Sequence, residues 1–321
     1  MHNNKPKTIA FEISSDCRFD CIYCDRRNWQ KLNLKRTRPF MDINQYKQII
    51  DEVTEWKTVP SITLSYEGES ILNPQFNEYL KYLGSKDIRP WISTRELSDD
   101  DDVLNLLLEC CSAICVSLDD DKTYTLQNQK KGESNKDLEK RLLKLIQLAE
   151  KNCSQTSLSV SIVVFPPETP ESPRVRDFIA EWIDSVHEIF LWQKIDFSQG
   201  IKYSYRDGIE KHLRRRRVCE QPFSYLAVLS DGRISPCCNT SRIVFNSLNI
   251  SKGLTSALES EEYQNFLEKH LSLQLLNTAC QECELWLDSW LGDEKYFISL
   301  DDGRQCQVFF EGSSYRIKGK S

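Results

Sequence analysis

The chain has 321 residues, of which 40% are hydrophobic and 28% charged, and it carries a formal net charge of −6 at pH 7. This is the composition of an ordinary globular protein able to bury a sizeable core, and its acidic balance argues against a nucleic-acid partner, because phosphate binding wants a basic face. No N-terminal run resembles a signal peptide, and no apolar segment reaches the roughly 18 residues of a spanning helix, so a cytoplasmic protein without a membrane partner is expected.

Apolar strand-like runs then alternate with segments of helical period. TIAFEI (8–13) precedes a loop rich in cysteine and charge, and an amphipathic helix is expected from about Asn44 to Trp56. SITLSY (61–66) leads to a helix from about Pro74 to Leu83, RPWIST (89–94) to one near 99–110, and AICVSL (113–118) to one near 136–151. SLSVSIVVF (157–165) leads to a helix near 173–186, and EIFLWQKI (188–195) ends the series. Strands alternating with helices imply parallel pairing through crossover connections, hence an α/β fold. Six such units fall short of the eight of a closed TIM barrel, so an open, partial (β/α)6 barrel over residues 1–195 is expected.

Residues 196–218 lose this periodicity and read as a linker, with RRRR (214–217) as a solvated charge run or, as the alternative, a site for an acidic peptide or phosphate. A small α+β module follows over 219–290. In it YLAVLSDGRISPCC reads as a hairpin turning at Asp231–Gly232, and a helix is expected from about Ser260 to His270, ahead of CQEC. The tail, 291–321, contains the aromatic, strand-like QVFFEGSSYRI. Packing against the module is its expected use, with addition of a peptide strand as the other.

Thirteen cysteines in a long chain without a signal, and an odd number of them, point to metal ligands or buried apolar residues rather than disulfides. Cys110, Cys111, Cys115 and Cys153 lie in or beside apolar helix or strand patterns and read as core. Cys17, Cys21 and Cys24 follow the first strand, at the end of the sheet where α/β folds bind ligands. Their C-x3-C-x2-C spacing gathers three thiolates around one centre, and a zinc ribbon would need a second CxxC nearby. Three thiolates suggest a [4Fe–4S] cluster whose fourth iron is open to a non-protein ligand. Cys219, Cys237, Cys280 and Cys283 supply four thiolates, the complement of a closed [4Fe–4S] cluster, with zinc as the structural alternative.

CRFDCIYC, with an aromatic before its last cysteine, resembles the signature of the radical S-adenosylmethionine (radical SAM) superfamily. The resemblance implies that SAM completes the first cluster and is cleaved to a 5′-deoxyadenosyl radical, with an electron from a donor such as flavodoxin or ferredoxin. LSYEGESILNPQF (64–76) resembles the family's GGEP loop, which holds the methionine amino group of SAM; Gly68 and Glu69 match, while Glu67 and Ser70 depart. STRE (93–96) stands in the STNG place, with Ser93 matching and Arg95 and Glu96 departing, and SLDD (117–120) resembles the SLDG loop through Ser117 and Asp119. By the same resemblance Tyr23 would lie by the adenine. The second cysteine set is similar to the SPASM/twitch extension of these enzymes. On that pattern Cys237, which keeps the Gly-x4-Cys spacing from Gly232, is chosen over Cys238, and one auxiliary [4Fe–4S] cluster is expected.

A closed auxiliary cluster implies electron acceptance and net oxidation. The expected substrate is a ribosomally synthesised precursor peptide, crosslinked, oxidised, epimerised or excised, presented by a separate leader-peptide recognition protein. The alternatives are a small-molecule dehydrogenase acting on an amino sugar or cyclitol, and a non-catalytic iron–sulfur electron carrier. No catalytic acid, base or hydrogen donor is identified; Cys306, Tyr203, Tyr205 and Asp207 are candidates by residue type alone.

Overall fold

The computed structural model describes residues 5–19, 21, 24, 26, 35–119, 135–165, 168–193, 217–238, 244–276, 280–281, 283, 294–311 and 314–320. Tyr23, Tyr203, Tyr205, Asp207 and the expected linker up to residue 216 lie outside them.

Six parallel strands carry the first two-thirds of the chain: β1 (Thr8–Phe11), β2 (Ser61–Thr63), β3 (Trp91–Thr94), β4 (Ala113–Ser117), β5 (Ser157–Val164) and β6 (Glu188–Gln193). The helices between them are α1 (Ile43–Thr54), α2 (Phe76–Gly84), α3 (Asp101–Cys110), α4 (Asn135–Lys151) and α5 (Pro173–Trp182). Each starts close to where composition placed it. The Asp42 carboxylate accepts from the N–H groups of Asn44 and Gln45 and so caps α1, whose Ile43, Tyr46, Ile49, Ile50 and Val53 form one buried face at helical spacing. Asp100 caps α3 in the same way through Asp102 N–H.

Alternation along the strands divides their side chains into two sets. Ile9, Phe11, Ile62, Ile92, Ile114, Val116, Leu158, Val160, Ile162, Ile189 and Leu191 join the helices in the apolar core. The intervening positions are small and mostly polar. In register across three strands stand Ser93, Cys115 and Ser159, with Ser117 beside Ser161 one layer on. The barrel's inner face is therefore lined with hydroxyls and a thiol.

Strand β6 does not close onto β1. The free edge of β1 is taken by β7 (Tyr225–Val228), which pairs in parallel, and β8 (Arg233–Ser235) and β9 (Phe245–Asn249) follow antiparallel. This is the partial barrel expected. A short helix α6 (Gln221–Ser224) leads into β7. The expected hairpin turns where Gly232 N–H donates to Leu229 C=O at 2.8 Å, with Gly232 at φ +87°, a conformation that glycine adopts without a Cβ penalty. Helices α7 (Leu254–Leu258) and α8 (Glu261–Leu271) complete the module, α8 being capped by Ser260.

The tail differs from expectation. β10 (Glu294–Ser299), β11 (Gln305–Glu311) and β12 (Ser314–Lys318) form antiparallel pairs, and β12 pairs with β6, at the end of the twelve-stranded sheet opposite the module's hairpin. The physical reason is the edge of β6, which presents unpaired backbone groups and an apolar row. Ile317, Val308 and Ile298 extend the row begun by Ile189 and Leu191, and one apolar core runs from Ile9 to Ile317.

Candidate active site and cluster-binding loops

The loops after β1 to β4 are tied to one another, and to the end of β5, at the C-terminal ends of the strands. Gly68 packs so closely on the first loop that a Cβ there would lie 2.2 Å from the Ser14 carbonyl oxygen. Glu69 N–H donates to Asp16 C=O at 2.8 Å, and the Asn73 amide donates to Ile13 C=O at 2.7 Å. The Glu69 carboxylate accepts from the Thr94 hydroxyl at 2.6 Å and from Arg95 N–H at 3.0 Å. The Arg95 guanidinium donates to Asp119 C=O at 2.9 Å and lies 5.0 Å from the Phe19 ring centroid. Asp119 accepts from the Ser117 hydroxyl at 2.8 Å and from Val163 N–H at 2.6 Å. Ser93 faces Ser65, whose hydroxyl donates to Ser93 C=O at 2.9 Å. Gly68, Glu69, Ser93, Ser117 and Asp119 thus belong to one connected rim.

The departures from the family loops acquire roles in this rim. Arg36 is a buried guanidinium that donates to Glu12 (2.7 and 3.0 Å) and to Glu67 (3.0 Å). Glu67 thus has a buried cationic partner. Ser70 donates its hydroxyl to Leu64 C=O, turning the loop where the family pattern has proline. Arg95 braces the Asp119 loop.

The three cysteines lie on the first loop, beside the second. Cys24 N–H donates to Cys21 C=O at 3.0 Å, and Phe19 N–H donates to the Cys17 Sγ at 3.4 Å. Burial, aided by the Glu69 charge, pushes the Cys17 thiol up to about 12. Burial, aided by Glu67, does the same to Cys24. Each of these thiols also feels Cys21. Burial pushes Glu69 up to about 7 against the pull of its Thr94 and Arg95 hydrogen bonds. Burial thus disfavours the ionised forms of these acidic groups, and a cation beside them would favour ionisation.

In the module, Cys219, Cys237 and Cys280 are buried and Cys283 is half-buried, whereas Cys238 is exposed. Cys237 leaves β8 with its carbonyl oxygen accepting from the Ser235 hydroxyl at 3.1 Å and from the Tyr66 hydroxyl at 2.9 Å. Tyr66 immediately precedes Glu67 and Gly68, so a single loop contacts both cysteine regions. Among the described residues, no group of three or more His, Cys, Asp and Glu side chains is set around a single metal ion.

A sequence profile of the radical SAM superfamily matches residues 11–179, just over half of the chain. The chain belongs to the radical SAM superfamily. The profile of an iron–sulfur cluster-binding domain, SPASM, matches residues 219–284. No curated protein matches the sequence. Among solved structures, SuiB of Streptococcus suis bound to precursor peptide SuiA is 15% identical, with 88% of this chain and 70% of that one covered and a TM-score of 0.61. BtrN in complex with AdoMet and 2-DOIA is 15% identical over 87% of this chain and 93% of that one, with a TM-score of 0.54. Native anSMEcpe with bound AdoMet is 15% identical over 83% and 84%, with a TM-score of 0.59. At these identities the likeness is one of fold.

Membership in the radical SAM superfamily brings a [4Fe–4S] cluster and SAM, and the SPASM module brings auxiliary iron–sulfur chemistry. The first loop has the chemistry of the SAM-cluster site. Three thiols stand on one loop, a buried carboxyl waits beside them, and Gly68 leaves a cradle that any Cβ would fill. Sequence reading missed Glu12, Arg36, Tyr66, Ser159 and Ser161. The two serines carried a signal, the S-x-S-x-S alternation of SLSVSIVV. Arg36 carried none, because its partners lie 24 and 31 residues away.

Proposed function

We propose that this radical SAM enzyme oxidatively modifies a ribosomally synthesised precursor peptide, by crosslinking, oxidation, epimerisation or excision. The observation that carries the reading is the open barrel, whose inner face continues past β6 onto the tail's sheet. A polypeptide needs such length of surface. The likeness of fold to SuiB, solved with its precursor peptide, agrees with it.

When bound, the SAM cluster and the auxiliary cluster would supply, respectively, hydrogen-atom abstraction from substrate and acceptance of the electron left behind. The protein's share is positional. Cys17, Cys21 and Cys24 would hold the first cluster, and Cys219, Cys237, Cys280 and Cys283 the second. The Glu69 carboxylate would accept hydrogen bonds from the methionine ammonium of SAM, Gly68 would allow the backbone to approach, and Ser93, Ser117 and Asp119 would fix the loops around the ligand. Tyr23 would flank the adenine. The Tyr66 hydrogen bond to Cys237 C=O keeps the module in register with the SAM loop. A flavodoxin or ferredoxin would deliver the electron, and a separate protein would present the leader peptide.

A second reading, an amino-sugar or cyclitol dehydrogenase, is favoured by the inner face itself. Ser93, Ser159 and Ser161 hydroxyls lie against the buried Cys115 thiol, a lining suited to a polyol. Co-expression with a candidate precursor peptide, followed by mass spectrometry, separates the two. Loss of two hydrogens from the peptide, or a larger loss by excision, supports the first reading, with chiral amino-acid analysis covering epimerisation. An unmodified peptide together with oxidation of a supplied amino cyclitol supports the second.

A further inference from the structure

The exposed face of the tail's sheet is unusual. Along β6, β12, β11 and β10, alternate residues are buried in the core: Ile189 and Leu191, Ile317, Val308 and Phe310, and Ile298. Strand alternation ordinarily places polar residues on the opposite face. Here that face carries four aromatic rings. Phe190 and Trp192 stack with centroids 5.5 Å apart and planes 9° from parallel. Trp192 is 37% exposed and Phe297 63% exposed.

The fourth ring, Phe309, gathers cations. The Arg316 guanidinium lies 4.9 Å from its centroid, Lys295 Nζ 5.5 Å and Lys318 Nζ 5.6 Å. The register explains the cluster: Phe309 is opposite Arg316 on β12 and opposite Lys295 on β10. Arg316 also pairs with Glu188 at 2.8 Å, while neither lysine has an ion pair among the described residues. On a chain of net charge −6 this is a local reversal of sign. The face is also continuous with the catalytic barrel, since Phe190 stands opposite Ser161, and Trp192 opposite Val163, of β5.

The geometry points to this aromatic, cationic face as the docking surface for an acidic segment of the substrate peptide, with carboxylates meeting Lys295 and Lys318 and apolar side chains meeting Trp192 and Phe297. The inference rests on the peptide reading above. The four strands span roughly 15 Å at their ordinary spacing, the length of four or five extended residues, enough to lead a peptide from the face to the barrel mouth. Exposed aromatics of this kind are the residues that carry binding energy at interfaces. The overall acidity of the chain disfavours nucleic acid as the occupant.

The test is fluorescence anisotropy on the reconstituted protein. The probe is a short fluorescein-labelled peptide alternating glutamate with leucine or phenylalanine, compared with the same peptide carrying lysine for glutamate. Preferential binding of the acidic peptide is expected. Its affinity should fall roughly tenfold or more in Lys295→Glu/Lys318→Glu and in Phe297→Ala, while SAM affinity in both variants stays at the wild-type value. Equal binding of the two peptides, or unchanged affinity in the variants, overturns the inference. So does displacement of the probe by oligothymidylate, or a dimer in sedimentation that Phe297→Ala abolishes, which would make a second copy of the chain the occupant. A precursor modified equally well by wild type and both variants removes this surface but leaves the peptide reading intact. Turnover of an amino cyclitol with no peptide modified removes the peptide reading itself.

Discussion

The two ends of the parallel sheet are extended by the same device, strand addition, but are joined in different ways. At the β1 end the joint is polar and buried. Glu12 accepts from Arg36 and also from Ser230 N–H of the module's hairpin at 3.1 Å. Arg38 Nε donates to Ser230 C=O at 2.9 Å, and the Ser230 hydroxyl donates back to Arg38 C=O at 2.9 Å. Farther along, Glu52 of α1 accepts from Leu254 N–H at 2.8 Å and from Thr255 N–H at 2.5 Å. At the β6 end the joint is a backbone ladder over an apolar row, with ion pairs such as Arg304–Asp184 (2.5 Å) in solvent. A buried polar network demands one geometry, because a half-satisfied one is costly. A ladder over an apolar row positions the tail while leaving its other face available. The rigid joint lies beside the cysteine loop, and the open face lies on the path to the barrel mouth.

The largest expected effect is at the cysteines. Reconstituted protein should hold about eight irons per chain, and replacement of Cys17, Cys21 and Cys24 together with Ala should leave about four. Iron and sulfide assay of the purified variant gives the answer; retention of all the iron would remove the triad from the first cluster.

The comparison of the two joints is sharpened by a matched pair of substitutions. Arg36→Met strands the Glu12 and Glu67 carboxylates in the interior and should cost about 3–5 kcal/mol in urea unfolding. Arg304→Met, at a solvent-exposed pair, should cost far less. Equal losses would show that the two joints do not differ in kind.

A smaller effect is expected at Gly68. Gly68→Ala must push the second loop off the Ser14 carbonyl and should weaken SAM binding about tenfold, equivalent to about 1.4 kcal/mol, measured by equilibrium dialysis. Wild-type affinity would mean that the close approach of the two loops does not shape the SAM site.

The mildest effect is a pH dependence. Glu69 sits at about 7 in the ligand-free protein, because burial disfavours its charge. Binding an ammonium favours the ionised carboxylate, so SAM affinity should be full above this value and fall as pH drops from about 8 to 6. In Glu69→Gln the profile should be flat over that window. A wild-type profile equally flat would take Glu69 out of contact with the amino group.

Much of this was legible in local pattern. Alternating strands and helices gave the six βα units, and the Asp231–Gly232 turn announced the hairpin, since both signals lie within a few residues of chain. The cysteine spacing announced a three-thiolate loop for the same reason. The place of the tail was not legible, because QVFFEGSSYRI is equally compatible with any apolar sheet edge, and only the open edge of β6 decides. Nor was Arg36: its worth depends on Glu12, Glu67 and Ser230, which converge only in the folded chain. Glu67, a departure in the sequence, becomes intelligible once its buried partner is seen.

The central claim is that this chain opens its reaction with SAM held at the Cys17–Cys21–Cys24 loop. The most direct measurement is 5′-deoxyadenosine formation by the anaerobically reconstituted protein with dithionite and SAM. Wild type should produce it and folded Cys24→Ala should not. A folded Cys24→Ala protein that forms 5′-deoxyadenosine at the wild-type rate would contradict the account.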